Sequence, residues 1–225
     1  VAFAKLMQEA GVKFGILGEE ESCTGDSAKR IGNEMLAQQM ATQNVEVMKG
    51  YGVKKVVTAC PHCFNSIKSE FPQVGGDFEV LHHTELLQDL VKAGKLKPKA
   101  PAVNAAAATY HDSCYLARYN NVMDSPRSLV ATANGAEATE MPRNRENGFC
   151  CGAGGGRMWM EETIGKPINV ERAQEAIKTG ATTVATACPF CMTMMADGVK
   201  AEGRTDVAVK DVAELLAESM GLMED

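Results

Sequence analysis

The chain repeats its own cysteine pattern after 128 residues. Shifted by that offset, VVTACPHC at residues 56–63 falls on VATACPFC at residues 184–191. The same shift superposes three cysteines of each half without a gap: Cys23 on Cys151, Cys60 on Cys188 and Cys63 on Cys191. A constant offset across several separate segments indicates an internal duplication. The sequence therefore predicts two copies of one structural unit.

Short apolar segments alternate with longer amphipathic ones in both copies. The predicted strands are Lys13–Leu17, Lys55–Ala59, Glu79–His82, Thr109–Asp112, Glu137–Glu140 and Thr183–Ala187. The predicted helices are Ala28–Lys49, Pro61–Glu70, Thr84–Ala93, Pro126–Asn134, Asn169–Thr179, Pro189–Ala201 and Val209–Met220. Strands that alternate with helices are typical of α/β folds with parallel sheets. We expect two Rossmann-like α/β units, residues 1–100 and 101–225, joined by a surface linker at Gly94–Ala102.

Charge and hydropathy exclude two classes of function. The formal net charge of the 225-residue chain is −6, which argues against a nucleic-acid partner. No segment reaches the roughly 18–20 consecutive apolar residues of a membrane span, so we expect no membrane insertion by this chain. No signal peptide opens the chain at Val1, and its first residues resemble the middle of a domain. We therefore expect a piece of a longer protein, and the cysteine usage described below indicates a reducing cytoplasm.

The eight cysteines are spaced as ligands rather than as disulfide partners. They cluster as C-x-x-C and C-C, and no secretion signal accompanies them. In the second copy, each cysteine follows a predicted strand, and parallel strands bring their carboxyl ends to one crevice. We therefore expect five thiolates to converge there: Cys114, Cys150, Cys151, Cys188 and Cys191.

The number and type of these donors favour iron–sulfur chemistry. A structural zinc ion takes four ligands, and five thiolates without histidine or carboxylate suit an iron–sulfur cluster better. Zinc in a structural module remains an alternative, because four-cysteine zinc sites use similar C-x-x-C pairs. Beside the double cysteine, the loop GAGGGR is predicted to bind the cofactor through Gly152, Gly154, Gly155 and Arg157. Backbone N–H groups of such a loop can hydrogen-bond to anionic sulfur.

The first copy carries an incomplete version of this set. Cys23, Cys60 and Cys63 remain, but Ser22 occupies the position equivalent to Cys150. The counterpart of Cys114 would precede Val1. With one further cysteine upstream, these thiolates would make a four-cysteine site for an ordinary cubane cluster. Without it, the first site has three ligands and is labile.

Several polar side chains accompany the cysteines. His82 and His83 end a predicted strand, where they either line the crevice or serve as structural histidines. His111 and Asp112 precede Cys114, where they either orient its loop or form part of a turn. Nearby arginines are interpreted as ordinary solvated or paired residues, with Arg157 the best candidate for a role near the cluster.

The spacing C-x35-C-C-G-x35-C-x2-C resembles the cysteine-rich CCG domain found in a heterodisulfide reductase subunit and in related iron–sulfur proteins. The strings ESCTGDSAKRIGNE, YHDSCYLARYN and NRENGFCCGAGGGRMWMEE are more similar still to membrane-associated iron–sulfur oxidoreductases. These oxidoreductases pass electrons between electron-transfer flavoprotein and the quinone pool. The resemblance covers nearly the whole chain and corresponds to the C-terminal half of those proteins.

The resemblance implies particular cofactors and partners. It implies a noncubane [4Fe-4S] cluster in the second CCG unit, held by the five cysteines named above. In the first unit, Ser22 breaks the pattern, and a cubane is the expected cofactor. The implied function is electron transfer between a flavoprotein or other redox subunit and a quinone-linked partner. The chain would then lie on the inner face of a membrane, held there by that partner or by an upstream region. The alternative is reduction of a disulfide or heterodisulfide by the five-cysteine cluster.

Overall fold

The computed structural model describes residues 1–99 and 107–223. Within these ranges the strands are β1 (Lys55–Thr58), β2 (Glu79–His82), β3 (Ala108–His111), β4 (Thr183–Thr186) and β5 (Ala208–Asp211). The helices are α1 (Ala2–Glu9), α2 (Asp26–Arg30), α3 (Glu34–Gly50), α4 (Pro61–Asn65), α5 (His83–Lys92), α6 (Cys114–Ala117), α7 (Asp124–Asn134), α8 (Ile168–Ile177), α9 (Pro189–Ala201) and α10 (Val212–Ser219). None of these helices combines the length and apolar character needed to cross a membrane.

Every strand pair in the described residues is parallel. Strand β1 pairs with β2 in the first half, and β4 lies between β3 and β5 in the second. All residues of β3 and β4 are buried, as expected for parallel strands covered on both faces. The predicted α/β fold with parallel sheets is therefore confirmed.

The duplication is visible in the order and the caps of the elements. Strands β1 and β4 begin 128 residues apart, and so do helices α4 and α9. After each of these helices comes a strand that leads directly into a capped helix. The His82 backbone N–H donates to Glu85 at 3.0 Å, and the Asp211 N–H donates to Glu214 at 2.8 Å. The same reciprocal cap thus begins α5 and α10, which stabilises both helix N-termini in the same way.

One hydrophobic core is shared by the two halves. It contains the fully buried Leu6 of α1, Leu87 of α5, Leu129 of α7 and Leu216 of α10. Helix α10 packs against α1 and α7, and α7 also packs against α5. Because helices of both halves bury their apolar faces against one another, the two units are held in a defined relative position. That position brings their cysteines together.

Two predicted strands do not form. Lys13–Leu17 is not a strand, and Phe14 and Ile16 are exposed. Glu137–Glu140 forms only one bridge, between Thr139 and Thr109 of β3. Within the described ranges the first half has no strand equivalent to β3, so Lys13–Leu17 has no neighbour with which to pair. An alternating apolar pattern without a pairing partner does not make a strand.

Two predicted helices are wrong in their extent. The predicted helix Ala28–Lys49 is broken between α2 and α3, because Gly32 adopts a positive φ of 89° and Asn33 caps the next helix. The predicted helix Val209–Met220 begins only at Val212, because residues 208–211 pair with β4 as β5. In both cases a local cap sets the helix start.

The predicted link between the two units is only partly described. The boundary between residues 100 and 101, and the end of the segment Gly94–Ala102, lie outside the described residues. The described part is less exposed than predicted, because Leu96 is buried in the shared core. The Lys99 N–H also donates to the Ser219 carbonyl at 3.2 Å, which ties this segment to the end of α10.

The close crossing of α8 and α9 makes a testable prediction about stability. A Cβ on Gly198 would lie 2.5 Å from the Asn169 carbonyl oxygen and 2.9 Å from the Ala173 Cβ. We expect Gly198→Ala to lower the free energy of unfolding by about 1–3 kcal/mol through overpacking. Gly50→Ala is the matched control, because nothing lies within 4 Å there and its φ is not positive. Urea unfolding measures both, and equal stabilities for the two variants would contradict this packing argument.

Candidate functional site

Each C-x-x-C pair begins an equivalent helix. Cys60 is the N-cap residue of α4 and Cys188 is the N-cap residue of α9, and a proline follows each of them. Cys63 and Cys191 lie on the first turns of the same helices. The backbone N–H groups of Phe190 and Cys191 hydrogen-bond to the Cys188 sulfur. A helix N-terminus stabilises negative charge, so among these four positions it favours a thiolate at Cys188, whose pKa is lowered.

Seven of the eight cysteines form a continuous row of neighbouring thiols, all unpaired by disulfides. We call these seven the thiol row. Each member is hydrogen-bonded to the next, in the order Cys114, Cys150, Cys151, Cys191, Cys188, Cys60 and Cys63. The contact between Cys188 and Cys60 joins the two halves, because these cysteines occupy equivalent positions in the duplication. The two candidate ligand sets are therefore adjacent.

Negative charge is favoured at Cys150. The thiols of Cys114 and Cys151 donate to its sulfur, and the N–H groups of Gly152 and Gly154 donate as well, which lowers the pKa of Cys150 far below its ordinary value. These hydrogen bonds have the opposite effect on the neighbouring thiols: the pKa of Cys151 rises to about 12, chiefly through its hydrogen bond with Cys150. This end of the row is thus arranged to hold an anionic sulfur.

A second centre of negative charge lies where the halves meet. Burial opposes ionisation of Cys188, yet hydrogen bonds from Cys191 and Cys60 bring its pKa well below the ordinary value. The pKa of Cys60 rises to about 12, first because of its hydrogen bond with Cys188. The joint between the halves therefore also favours an anionic sulfur.

The glycine loop contributes to the row through part of its length. The Gly152 N–H lies 3.3 Å from the Cys150 Sγ. A side chain at this position would be strained, because Gly152 has a φ of +94° and Ile168 approaches it closely. Gly155 has a positive φ and open space around it, and the Arg157 Nε pairs with the Glu162 carboxylate at 3.1 Å. Gly152 and Gly154 thus reach a thiol, whereas Gly155 and Arg157 remain predicted cofactor-binding residues without such a contact.

Cys23 lies beside the row but not in it. Its side chain is exposed, and its sulfur accepts the Gly25 N–H at 3.5 Å. The next residue, Thr24, donates its hydroxyl to the Cys63 Sγ at 3.5 Å. The structure therefore brings Cys23 near Cys63, the end of the thiol row that belongs to the first half. Thr24 links the two through its hydrogen bond to the Cys63 sulfur.

Asp112 organises the loop that leads to Cys150. Arg127 binds both of its carboxylate oxygens at 2.8 Å, and the Arg145 N–H donates to it at 2.7 Å. Arg118 in turn donates to the Gly148 carbonyl at 3.1 Å. These arginines have structural partners, which agrees with their interpretation as paired residues.

The two histidines that follow β2 lie at the joint between the halves. Burial, and then the neighbouring His83, lower the pKa of His82 well below its ordinary value, and the carbonyl groups of Ala59 and Ala187 oppose this shift. Those alanines immediately precede Cys60 and Cys188. The His83 Nε2 lies 3.1 Å from the Asp211 carboxylate of the second half. Both histidines are fully buried, so they serve to join the copies rather than to line an open crevice.

His111 and Arg172 form a buried pair beside the thiol row, and sequence analysis identified only His111. His111 was noted for its position before Cys114, but it also lies within 4.8 Å of the Cys151 and Cys191 sulfurs. Burial, and then the charge of Arg172, lower the pKa of His111 to about 3. Arg172 was missed entirely. Its position four residues before Ala176, on the buried face of α8, could have indicated from the sequence that Arg172 is buried.

The buried histidine between the cysteines of the first C-x-x-C pair, His62, was also missed. The His62 Nδ1 lies 2.8 Å from the Asp26 carboxylate, and its ring stacks on Tyr115 of the second half at 4.1 Å. Asp26 is 36 residues away and Tyr115 belongs to the other copy, so no local pattern joins them. This stack adds a further contact between the two halves beside the row.

The donor set identifies what the thiol row can hold. A tetrahedral metal ion takes four ligands, and the row offers more sulfur donors than one such site uses. Soft thiolates, backbone N–H groups aimed at sulfur and burial of Cys151, Cys188 and Cys191 suit an anionic iron–sulfur cluster. The residues present therefore fit such a group.

A family model described as the cysteine-rich domain, CCG, matches residues 1–68 and 108–196. The two matches end 128 residues apart, which is the offset of the duplication. They therefore end at equivalent positions, shortly after the C-x-x-C pair of each half.

Three curated proteins illustrate the similarity. The chain is 48% identical over 221 residues to the probable iron-sulfur-binding oxidoreductase FadF of Bacillus subtilis, covering 98% of this chain and 31% of FadF. It is 48% identical over 227 residues to EtfAB:quinone oxidoreductase of Syntrophomonas wolfei, covering 97% of this chain and 31% of that protein. It is 37% identical over 227 residues to a dihydromethanophenazine:CoB--CoM heterodisulfide reductase subunit of Methanosarcina barkeri, covering 98% and 55%. The chain thus spans about a third of the first two relatives.

Proposed function

We propose, because this chain belongs to the CCG cysteine-rich domain family, that it is the iron–sulfur electron-transfer part of a larger oxidoreductase. One observation carries the proposal: a continuous row of seven thiols joins both halves through Cys60 and Cys188, both of which are buried. Iron–sulfur binding agrees with the family match and with the name of FadF.

The thiol row supports one cluster site in each CCG unit, residues 1–100 and 101–225. In the second unit, the proposed ligands of a noncubane [4Fe-4S] cluster are Cys114, Cys150, Cys151, Cys188 and Cys191. In the first unit, we propose a cubane cluster held by Cys23, Cys60, Cys63 and a cysteine from outside this sequence. The contact between Cys60 and Cys188 supports adjacent sites, which favours electron transfer between them.

The chain's own residues provide the setting for this chemistry. A bound iron–sulfur cluster takes up and releases single electrons. The N-terminus of α9 favours negative sulfur at Cys188, and the Gly152 N–H donates to the Cys150 sulfur. Burial of Cys151, Cys188 and Cys191 keeps water from the inner part of the second site.

The proposed partners follow from the relatives. The name of EtfAB:quinone oxidoreductase gives EtfAB and a quinone as its redox partners. We propose a flavoprotein or another redox subunit as donor and a quinone or partner subunit as acceptor. The chain would work in the cytoplasm, held at the inner face of a membrane through a partner or through other parts of the longer protein.

One observation favours a second function, the reduction of a disulfide. Cleaving a disulfide takes two electrons, and the contact between Cys60 and Cys188 puts two proposed one-electron sites side by side. The similarity to the heterodisulfide reductase of Methanosarcina barkeri agrees with this alternative. In that case the second site would itself contact the substrate.

Stopped-flow reoxidation distinguishes the two functions. The protein is reduced with dithionite without oxygen, freed of excess reductant and mixed with menadione or with 5,5′-dithiobis(2-nitrobenzoate). If the function is electron transfer, menadione reoxidises the reduced protein. With 5,5′-dithiobis(2-nitrobenzoate), the reduced protein then releases no more thionitrobenzoate than the oxidised protein does, because both amounts come from free thiols. Additional release of two thionitrobenzoate ions per two electrons consumed would overturn the proposal in favour of disulfide reduction.

A further inference from the structure

His111 faces the thiol row from the interior of the second half. It is the last residue of β3 and is fully buried. A ring nitrogen lies within 4.8 Å of the Cys151 and Cys191 Sγ atoms. Its Nε2 has no hydrogen-bond partner in the described residues. A buried polar atom without a partner, on a ring that lies beside two proposed ligands, requires an explanation.

Arg172 determines which nitrogen of His111 carries the proton. The Arg172 Nε lies 3.0 Å from the His111 Nδ1. A guanidinium group only donates hydrogen bonds, so Nδ1 must be the acceptor, and the proton of the neutral ring is on Nε2. Arg172 is itself fully buried and is held by Glu175 at 2.6 Å and by the Arg143 carbonyl at 2.9 Å. The tautomer is therefore set by a rigid, buried arginine.

We infer that His111 is a positioning residue that donates its Nε2–H to sulfur of the iron–sulfur group held by Cys151 and Cys191, with Arg172 fixing the donating tautomer. The inference rests on the proposed iron–sulfur occupancy. Such a donor stabilises the more negative, reduced state and raises the reduction potential. The same geometry argues against His111 as an iron ligand, because a metal would need the lone pair of Nε2, and that tautomer would lose its Arg172 hydrogen bond.

The first test reads the tautomer without any cluster. Long-range ¹H–¹⁵N NMR of metal-free, histidine-labelled protein distinguishes the two neutral forms of His111, with His111→Gln identifying its signals. The inference predicts a proton on Nε2. A proton on Nδ1 would overturn it. Because this measurement needs no iron, its outcome is independent of whether the proposed function is correct.

The second test measures the potential of the loaded protein by EPR-monitored redox titration. His111→Leu removes the donor, and we expect about a tenfold shift of the one-electron equilibrium towards the oxidised state, or ~59 mV. His111→Gln keeps an N–H donor and should restore at least half of that shift, with iron content unchanged in both variants. An unchanged potential in His111→Leu would overturn the inference. Loss of iron from both variants would overturn it in favour of a ligand role.

Discussion

Replacing Cys151 with serine is expected to remove about four irons per chain, the content of one [4Fe-4S] cluster, together with the EPR signal of the second site. Cys151 is buried in the middle of the second ligand set, where it contacts both Cys150 and Cys191. A serine hydroxyl in its place is a harder donor that is not ionised at neutral pH, so it does not replace the thiolate. Anaerobic iron analysis and EPR of the reduced protein measure the loss.

Cys23→Ser is the matched control for this prediction. Cys23 occupies the equivalent position in the first half, and the chemical change is the same, but its side chain is exposed and outside the thiol row. We expect this variant to keep the EPR signal of the second site at full intensity. Survival of full iron content in Cys151→Ser would show that the proposed ligand set is wrong. Equal loss in both variants would show that the substitutions act on a single shared site.

Replacing Asp112 with asparagine is expected to lower the free energy of unfolding by about 3 kcal/mol, near the lower end of the range for breaking a buried ion pair. The Asp112 side chain is 2% exposed and that of Arg127 is 11% exposed. Glu140 still neutralises part of the Arg127 charge, so the loss stays at that end of the range. For a chain of this size the change corresponds to about 6–12 °C in Tm.

The same variant is expected to loosen the second site. Asp112 accepts the N–H of Arg145, whose φ of 54° lies in the left-handed region that a non-glycine residue adopts only under constraint. Asparagine keeps one oxygen for the Arg145 N–H but no longer pairs with both Arg127 N–H groups, so the loop before Cys150 is held less tightly and iron content should fall.

Asp124→Asn is the control for this variant, because Asp124 pairs with the same Arg145 side chain but is 87% exposed. We expect no measurable change in Tm or iron content from that substitution. Thermal unfolding followed by circular dichroism and anaerobic iron analysis measure both variants. Equal effects of Asp112→Asn and Asp124→Asn would contradict the role given to the buried carboxylate.

Much of the fold could be predicted because its signals are local. The C-x-x-C pairs mark the starts of α4 and α9, and the apolar runs before them form β1 and β4. The strand Lys13–Leu17 fails because pairing needs a neighbour, which the pattern of one segment does not reveal. Strand β5 was missed because Asp211 ends it and caps α10, and the apolar residues on both sides resemble one helix.

The cysteines of the candidate site could be predicted from the sequence, but their arrangement and some of their neighbours could not. Spacing and duplication identify the cysteines, and strand ends explain why they converge. The contact between Cys60 and Cys188 depends on how the two copies pack through the shared core, which no repeat pattern specifies. Arg172 was overlooked because an arginine on a helix is usually solvated, and its burial depends on Glu175 and His111 as partners.

The most direct test of the central claim is the metal content of the intact chain, prepared and kept without oxygen. Iron and acid-labile sulfide are determined on one sample, and EPR spectra are recorded in its oxidised and reduced states. The account predicts about four or more irons per chain, a similar amount of sulfide and a cluster EPR signal that changes with reduction. Stoichiometric zinc in place of iron, in protein never exposed to air, would contradict it and leave a structural metal module.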